Sequence, residues 1–178
     1  MNAKIERIQK SSSAALVVTK ITKVFAIVMA VILFLAGILF VALRNFFNAE
    51  FARAIGAGAP DLEAELRISG FGDLITQYLG QHDLAVSLGI NMLVVGITMI
   101  VLAVLMYFVG KVFKDIKEGY SPFQPAILKN MKIAFVIITL LSLRSSLIIG
   151  ALIGFSLWCV VCVFEYGCEL QNQSDETL

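Results

Sequence analysis

Charged residues are scarce in this chain of 178 residues. Asp, Glu, Lys and Arg together make up 15% of it, whereas hydrophobic residues make up 59%. Typical soluble domains have about 25% charged and roughly 45–50% apolar residues. The composition therefore excludes an ordinary soluble domain and indicates an integral membrane protein.

Residues that carry chemistry are also few. His82 is the only histidine, and no cysteine or second histidine stands near it to complete a metal site. No Asp or Glu lies inside a predicted span, where proton relays and ion sites place them. No nucleophile stands beside a base. We expect no catalytic residue, no metal, no cofactor and no enzymatic activity, and we identify no small-molecule substrate.

The three cysteines, Cys159, Cys162 and Cys168, all fall in the last 20 residues. This odd number does not form a disulfide framework. Cys159 and Cys162 have the spacing of a redox or metal pair, but they lie within an apolar helix. Two buried cysteines that pack as small hydrophobic residues are the favoured interpretation.

What the chain does have is long apolar segments. The predicted transmembrane spans are 24–43, 84–109, 126–143 and 147–164. The first has 20 residues without a charge, which reach roughly 30 Å as a helix, the thickness of the hydrocarbon core. We expect it to be an uncleaved signal anchor. The fold predicted is an all-α integral membrane protein with four transmembrane helices and one membrane domain.

The third and fourth spans allow two arrangements. Pro125 is suited to the first turn of a helix, and Arg144 interrupts the apolar stretch that follows. Either a tight hairpin has Arg144 at its tip, or one tilted helix buries Arg144 near the middle of the bilayer. Burial costs roughly 2.5–3.5 kcal/mol or more, and no span offers an acidic partner. The hairpin is therefore predicted.

Residues 44–83 differ in composition, with three arginines and six acidic residues. Phe47, Phe51 and Ile55 share the spacing of one short amphipathic helix. Forty residues are too few for an independent core. We expect short helices that lie against the outer ends of the first two spans.

The distribution of basic residues predicts the orientation. The lead-in 1–23 and the segment 111–132 are rich in lysine, and positively charged flanks stay in the cytoplasm. This places both termini, the loop 111–125 and the tail 165–178 in the cytoplasm. The lead-in has the pattern of a short amphipathic turn. A nucleic-acid-binding arm is the alternative, but topology alone explains its charge, so we expect no direct nucleic-acid binding.

The second span has two distinct faces. Gly89 and Gly96 begin a seven-residue repeat of small residues, and Asn91 lies on the opposite face. Small residues allow close helix packing, so we expect this span to be contacted from both sides. Gly150 and Gly154 form a second close-packing motif. Asn91 makes either an interhelical hydrogen bond, which is favoured, or a pore or substrate contact.

Two polar segments resemble a known family. The loop 118–123, with sequence EGYSPF, resembles the glycine-to-Pro-Phe loop of the DUF2975 family of small prokaryotic membrane proteins. The tail is similar to that family's end, with Phe164, Gly167 and Leu170 at three-residue spacing and then Asp175-x-Thr177. One departure is the near absence of a loop between the third and fourth spans.

The resemblance implies four helices, a bacterial or archaeal cell membrane, and no catalytic residues. Family members look like the membrane half of gene pairs whose other half is a small helix-turn-helix regulator. We therefore expect a regulatory or interaction protein, with a small transporter or channel subunit as the alternative. The predicted partner-binding surface consists of Gly119, Tyr120, Pro122, Phe123, Glu169, Leu170, Asp175 and Thr177.

Overall fold

The chain folds almost entirely into helices. The computed structural model describes residues 3–56, 83–118 and 123–176, and no strand occurs in these ranges. The helices are α1 (Ala3–Ala42), α2 (Arg44–Gly56), α3 (Leu84–Glu118), α4 (Pro125–Ser145) and α5 (Leu147–Glu176). The predicted all-α fold is confirmed.

Within the described ranges, four helices are long and apolar enough to cross a membrane, namely α1, α3, α4 and α5. With a rise of 1.5 Å per residue, α4 is about 32 Å long, which matches a hydrocarbon core of roughly 30 Å. Apolar side chains face outward along these helices: Leu35 is 66% exposed, Val136 59% and Phe155 72%. Such a surface is unfavourable in water and favourable against lipid chains. This is the architecture of a multi-pass membrane protein.

Two helices extend further than the sequence predicts. The lead-in was expected to form only a short turn, yet α1 begins at Ala3, and α5 continues through the polar tail to Glu176. Neither extension contains a proline. Elongating an existing helix requires no new nucleation, so polar residues are added to an apolar helix at little cost.

Contacts divide the chain into two compact units, one of residues Ala26–Ile100 and one of Met1–Phe25 with Val101–Leu178. In the first unit, α1 and α3 approach backbone to backbone. A Cβ atom built on Gly37 would lie 2.8 Å from the carbonyl oxygen of Gly89, and the reverse distance is also 2.8 Å. A Cβ atom on Gly96 would lie 3.2 Å from the Phe34 ring. Only a hydrogen atom fits comfortably at Gly37 and Gly89.

The first unit also contains the short helix predicted after the first span. The Phe40 ring of α1 stacks on Phe47 of α2 with centroids 4.3 Å apart, and Phe47 stacks on Phe51 at 6.4 Å. These contacts hold the start of α2 against the end of α1. Residues 57–82, which include His82 and the further short helices expected there, lie outside the described residues.

A polar clamp that was not predicted from the sequence joins α2 to the start of α3. The Asn48 side-chain amide donates a hydrogen bond to Asp83 Oδ1 at 2.6 Å, and Asn48 Oδ1 accepts one from the Ala85 N–H at 3.0 Å. Asp83 Oδ1 also accepts from the Val86 N–H, as an N-cap residue does. The available signal was an aspartate directly before an apolar run.

Helix α3 is covered on two faces. Asn91 and Leu105 are buried on one face, and Ala85 and Ala103 on another. This agrees with contact from both sides. A third face consists of side chains that are each about half exposed, namely Ile97, Ile100, Val104 and Tyr107. Helix α3 therefore retains a surface for lipid.

In the second unit, the predicted hairpin is confirmed. Pro125 occupies the first turn of α4, and α4 packs along α5. Ser146 alone separates the two helices: its extended backbone ends α4, while its carbonyl oxygen accepts a hydrogen bond from the Gly150 N–H at 2.8 Å. One long helix through Arg144 is excluded.

Such a tight turn requires small residues beside it. A Cβ atom built on Gly150 would lie 2.7 Å from Leu143 Cγ and 2.8 Å from Leu143 Cα. One turn further, a Cβ on Gly154 would lie 2.9 Å from Thr139 Cγ2. A rotamer change cannot relieve the clash with a Cα atom, so Gly150 tolerates substitution least.

We predict that Gly150→Ala lowers the free energy of unfolding by about 1–3 kcal/mol, the usual cost of overpacking. The matched control is Gly110→Ala in α3, where the nearest neighbouring atom, Thr19 Oγ1, lies at an ordinary 3.5 Å. The control is expected to be neutral or stabilising, because alanine favours helix over glycine. Thermal unfolding in detergent, followed by circular dichroism, measures both. Equal stability of the two variants would contradict the tight hairpin.

Candidate functional site

The two segments that resemble a family contact each other in the second unit. The Phe123 ring lies 5.5 Å from the Phe164 ring, centroid to centroid. It also covers Gly167, since a Cβ atom built there would lie 2.5 Å from the Phe123 ring carbons Cδ1 and Cε1. Phe123, just before α4, thus rests on α5 at the position where α5 has no side chain.

Polar contacts align the helices at the same end. Asn130 of α4 donates a hydrogen bond to Asp115 of α3 at 3.2 Å. Lys132 of α4 forms an ion pair with Glu165 of α5, with both side chains nearly half exposed. An exposed pair contributes about 0–1 kcal/mol. These contacts fix the register of α3, α4 and α5 more than they stabilise the fold.

The surface beyond this contact combines apolar and acidic groups. Phe123 is 37% exposed, so part of its ring is still accessible after packing on α5. Tyr166 and Leu170 are exposed on α5, and Glu169 lies exposed between them along the helix. Accessible aromatic and aliphatic side chains beside a carboxylate are suited to protein recognition.

Half of the predicted surface lies outside the described residues, namely Gly119, Tyr120, Pro122 and Thr177. Asp175 belongs to the last turn of α5. The structure brings Phe123 to the same helix as Glu169 and Leu170, and the rest of the surface stays a prediction. Gly167 is not among the predicted surface residues, although the spacing of Phe164, Gly167 and Leu170 indicates it.

Asn91 of α3 is buried in the first unit, at 6% exposure. Within the described part of the chain, its Oδ1 atom accepts no hydrogen bond. A buried acceptor without a partner costs about 1–3 kcal/mol. The interhelical bond favoured from the sequence is not made by this oxygen.

The prediction that Cys159 and Cys162 are buried was wrong. Cys159 and Cys162 are exposed on α5, whereas Cys168 is buried. In a helix that is apolar on every side, hydropathy does not tell which face packs against protein and which meets lipid. Among the described residues, no three His, Cys, Asp or Glu side chains form a group able to hold a metal ion.

No protein-family model, curated protein or solved structure matches this chain. The resemblance to the DUF2975 family therefore stays a prediction, supported by the residues of the loop and the tail.

We predict that cysteines placed at positions 123 and 167 form a disulfide on oxidation, in a chain whose native cysteines are replaced. The packing of Phe123 on Gly167 brings the two Cβ positions within reach. The matched control pairs position 123 with position 166, where Tyr166 is 63% exposed and points away. A gel mobility shift measures both. If neither pair forms while both thiols react with maleimide, position 123 does not rest on α5.

Proposed function

We propose that this multi-pass membrane protein holds a small cytoplasmic DNA-binding regulator at a prokaryotic cell membrane. The observation that supports the proposal is the contact of Phe123 with Gly167, which joins the two distinctive polar segments into one surface. The other residues that the structure describes offer mainly helix packing and lipid-facing side chains.

The chemistry of the surface suits a protein partner. Phe123, Tyr166 and Leu170 provide apolar area, and aromatic residues are enriched where binding energy concentrates. Glu169 and the acidic end of α5 favour a partner with basic residues. The helix-turn-helix character of the partner follows from the family resemblance alone.

The orientation belongs to the same proposal. All nine lysines lie in the lead-in and in residues 111–132, and the positive-inside rule places these segments in the cytoplasm. The surface formed by Phe123 and α5 then faces the cytoplasm, where a DNA-binding protein is found.

A small transporter or channel subunit is the second candidate. The observation that favours it is the buried Asn91. Its Oδ1 atom accepts no hydrogen bond within the described residues, and such an oxygen is suited to bind a polar substrate. The apolar parts of α1, α3, α4 and α5 contain no acidic residue for ion or proton coupling. The interaction function is therefore preferred.

We predict that a small helix-turn-helix protein co-purifies with the chain in mild detergent, and that Leu170→Asp reduces its recovery at least tenfold. The substitution replaces apolar contact area with a charge that must be desolvated on binding. Asn172→Ala, at a second exposed position two residues along α5, is the control and is expected to retain the partner. Mass spectrometry identifies and quantifies the bound protein.

Two outcomes would contradict the proposal. One is equal recovery of the partner with both variants, which would move the binding site elsewhere. The other is isolation without a DNA-binding protein together with ion flux in liposomes that Asn91→Leu abolishes, which would favour the transporter or channel.

A further inference from the structure

The lysines of this chain concentrate at one end of the second unit. Lys20 and Lys23 lie on α1, Lys111 on α3 and Lys129 on α4, and we name these four residues the lysine belt. None of them forms an ion pair within the residues that the structure describes. Lys20, Lys111 and Lys129 are exposed, and Lys23 is half-buried.

Two contacts bring the belt to one level. Thr19 of α1 lies against Gly110 of α3, where a Cβ atom would be 3.5 Å from Thr19 Oγ1. Their neighbours in sequence are Lys20 and Lys111. Asn130, which follows Lys129, donates its hydrogen bond to Asp115, one helical turn after Lys111. Three helices therefore present lysines at a similar height.

Exposed apolar side chains lie directly beside the belt. Val24 and Phe25 follow Lys23 on α1, with exposures of 57% and 61%. On α3 the Lys111 ammonium lies 4.9 Å from the centre of the Tyr107 ring, which is itself 47% exposed. Lysine stems extend along apolar surface and carry the ammonium group to the membrane interface.

We propose that the lysine belt binds the phosphate groups of anionic phospholipids. The ammonium groups of the belt lie at one level beside lipid-facing side chains, and they have no acidic partner among the described residues. This arrangement matches a row of headgroup phosphates. An acidic protein segment fits less well, because the belt continues directly into apolar surface that lipid covers. The inference does not depend on the proposed function, since it uses neither Phe123 nor the end of α5.

The test compares phosphatidylglycerol with phosphatidylcholine of identical acyl chains, added to the purified protein in nonionic detergent. Native mass spectrometry counts the lipids retained, and the shift in unfolding temperature gives a second measure. The double variant Lys111→Gln with Lys129→Gln is expected to weaken retention of phosphatidylglycerol about fivefold for each lysine removed. Added salt is expected to weaken it further in the wild type.

Two control variants separate the effect of the lysine belt from that of net charge. Arg44→Gln with Arg53→Gln removes two positive charges from α2 and is expected to leave retention unchanged. Lys111→Arg with Lys129→Arg keeps the charge and is expected to retain phosphatidylglycerol. Circular dichroism and size-exclusion chromatography verify folding, and the single variant Lys111→Gln replaces the double variant if that one does not fold.

Three results would overturn the proposal. One is equal retention of the two lipids by the wild type. Another is an equal loss of phosphatidylglycerol when the two lysines or the two arginines are replaced by glutamine, which would make the effect one of net charge. The third is displacement of phosphatidylglycerol by an acidic polyglutamate peptide at equal charge concentration, which would make the belt a protein-binding surface.

Discussion

The close approach of helix backbones is the interaction on which this structure depends. Within a bilayer the hydrophobic effect does not drive one apolar helix against another, so association relies on van der Waals contact and hydrogen bonds. The chain gains that contact where side chains are absent. Gly37 meets Gly89 at the backbone of both helices, and Gly150 leaves room for Leu143 beside the turn.

Charge determines what lies beyond the packed helices. The apolar parts of α1, α3, α4 and α5 are almost free of charge, whereas all nine lysines lie in the lead-in and in residues 111–132. In the second unit, the ends of α3, α4 and α5 are linked by Asp115 with Asn130 and by Lys132 with Glu165. These links connect the helices that carry the Phe123 contact and two lysines of the belt, Lys111 and Lys129. A preformed surface loses less entropy on binding than a mobile one.

Features that depend on local sequence were predictable. Pro125 identifies the start of α4 because proline suits a first helical turn, and Arg144 identifies the turn because its burial in lipid is costly. Both signals lie within the segment whose structure they determine. The length of α1 was harder to predict from the sequence, because a polar lead-in without proline can continue a helix that apolar residues have begun.

Features that depend on distant residues were not predictable. The contact between Phe123 and Gly167 joins segments that lie 44 residues apart in sequence, and a single sequence does not reveal which residue fills the space above a glycine. The exposure of Cys159 and Cys162 was missed for a related reason. Their helix is apolar on all sides, so its packed face is decided by Gly150 and Gly154 against α4.

The pairing of α4 with α5 as two separate crossings of the membrane is tested most directly by topology reporters. Alkaline phosphatase, active only outside the cytoplasm, and green fluorescent protein, fluorescent only inside it, are fused after Leu178 and, in a truncated chain, after Ser145. We predict fluorescence without phosphatase activity at Leu178, and phosphatase activity without fluorescence at Ser145. Phosphatase activity at Leu178 would indicate an odd number of crossings and would contradict two separate crossings by α4 and α5.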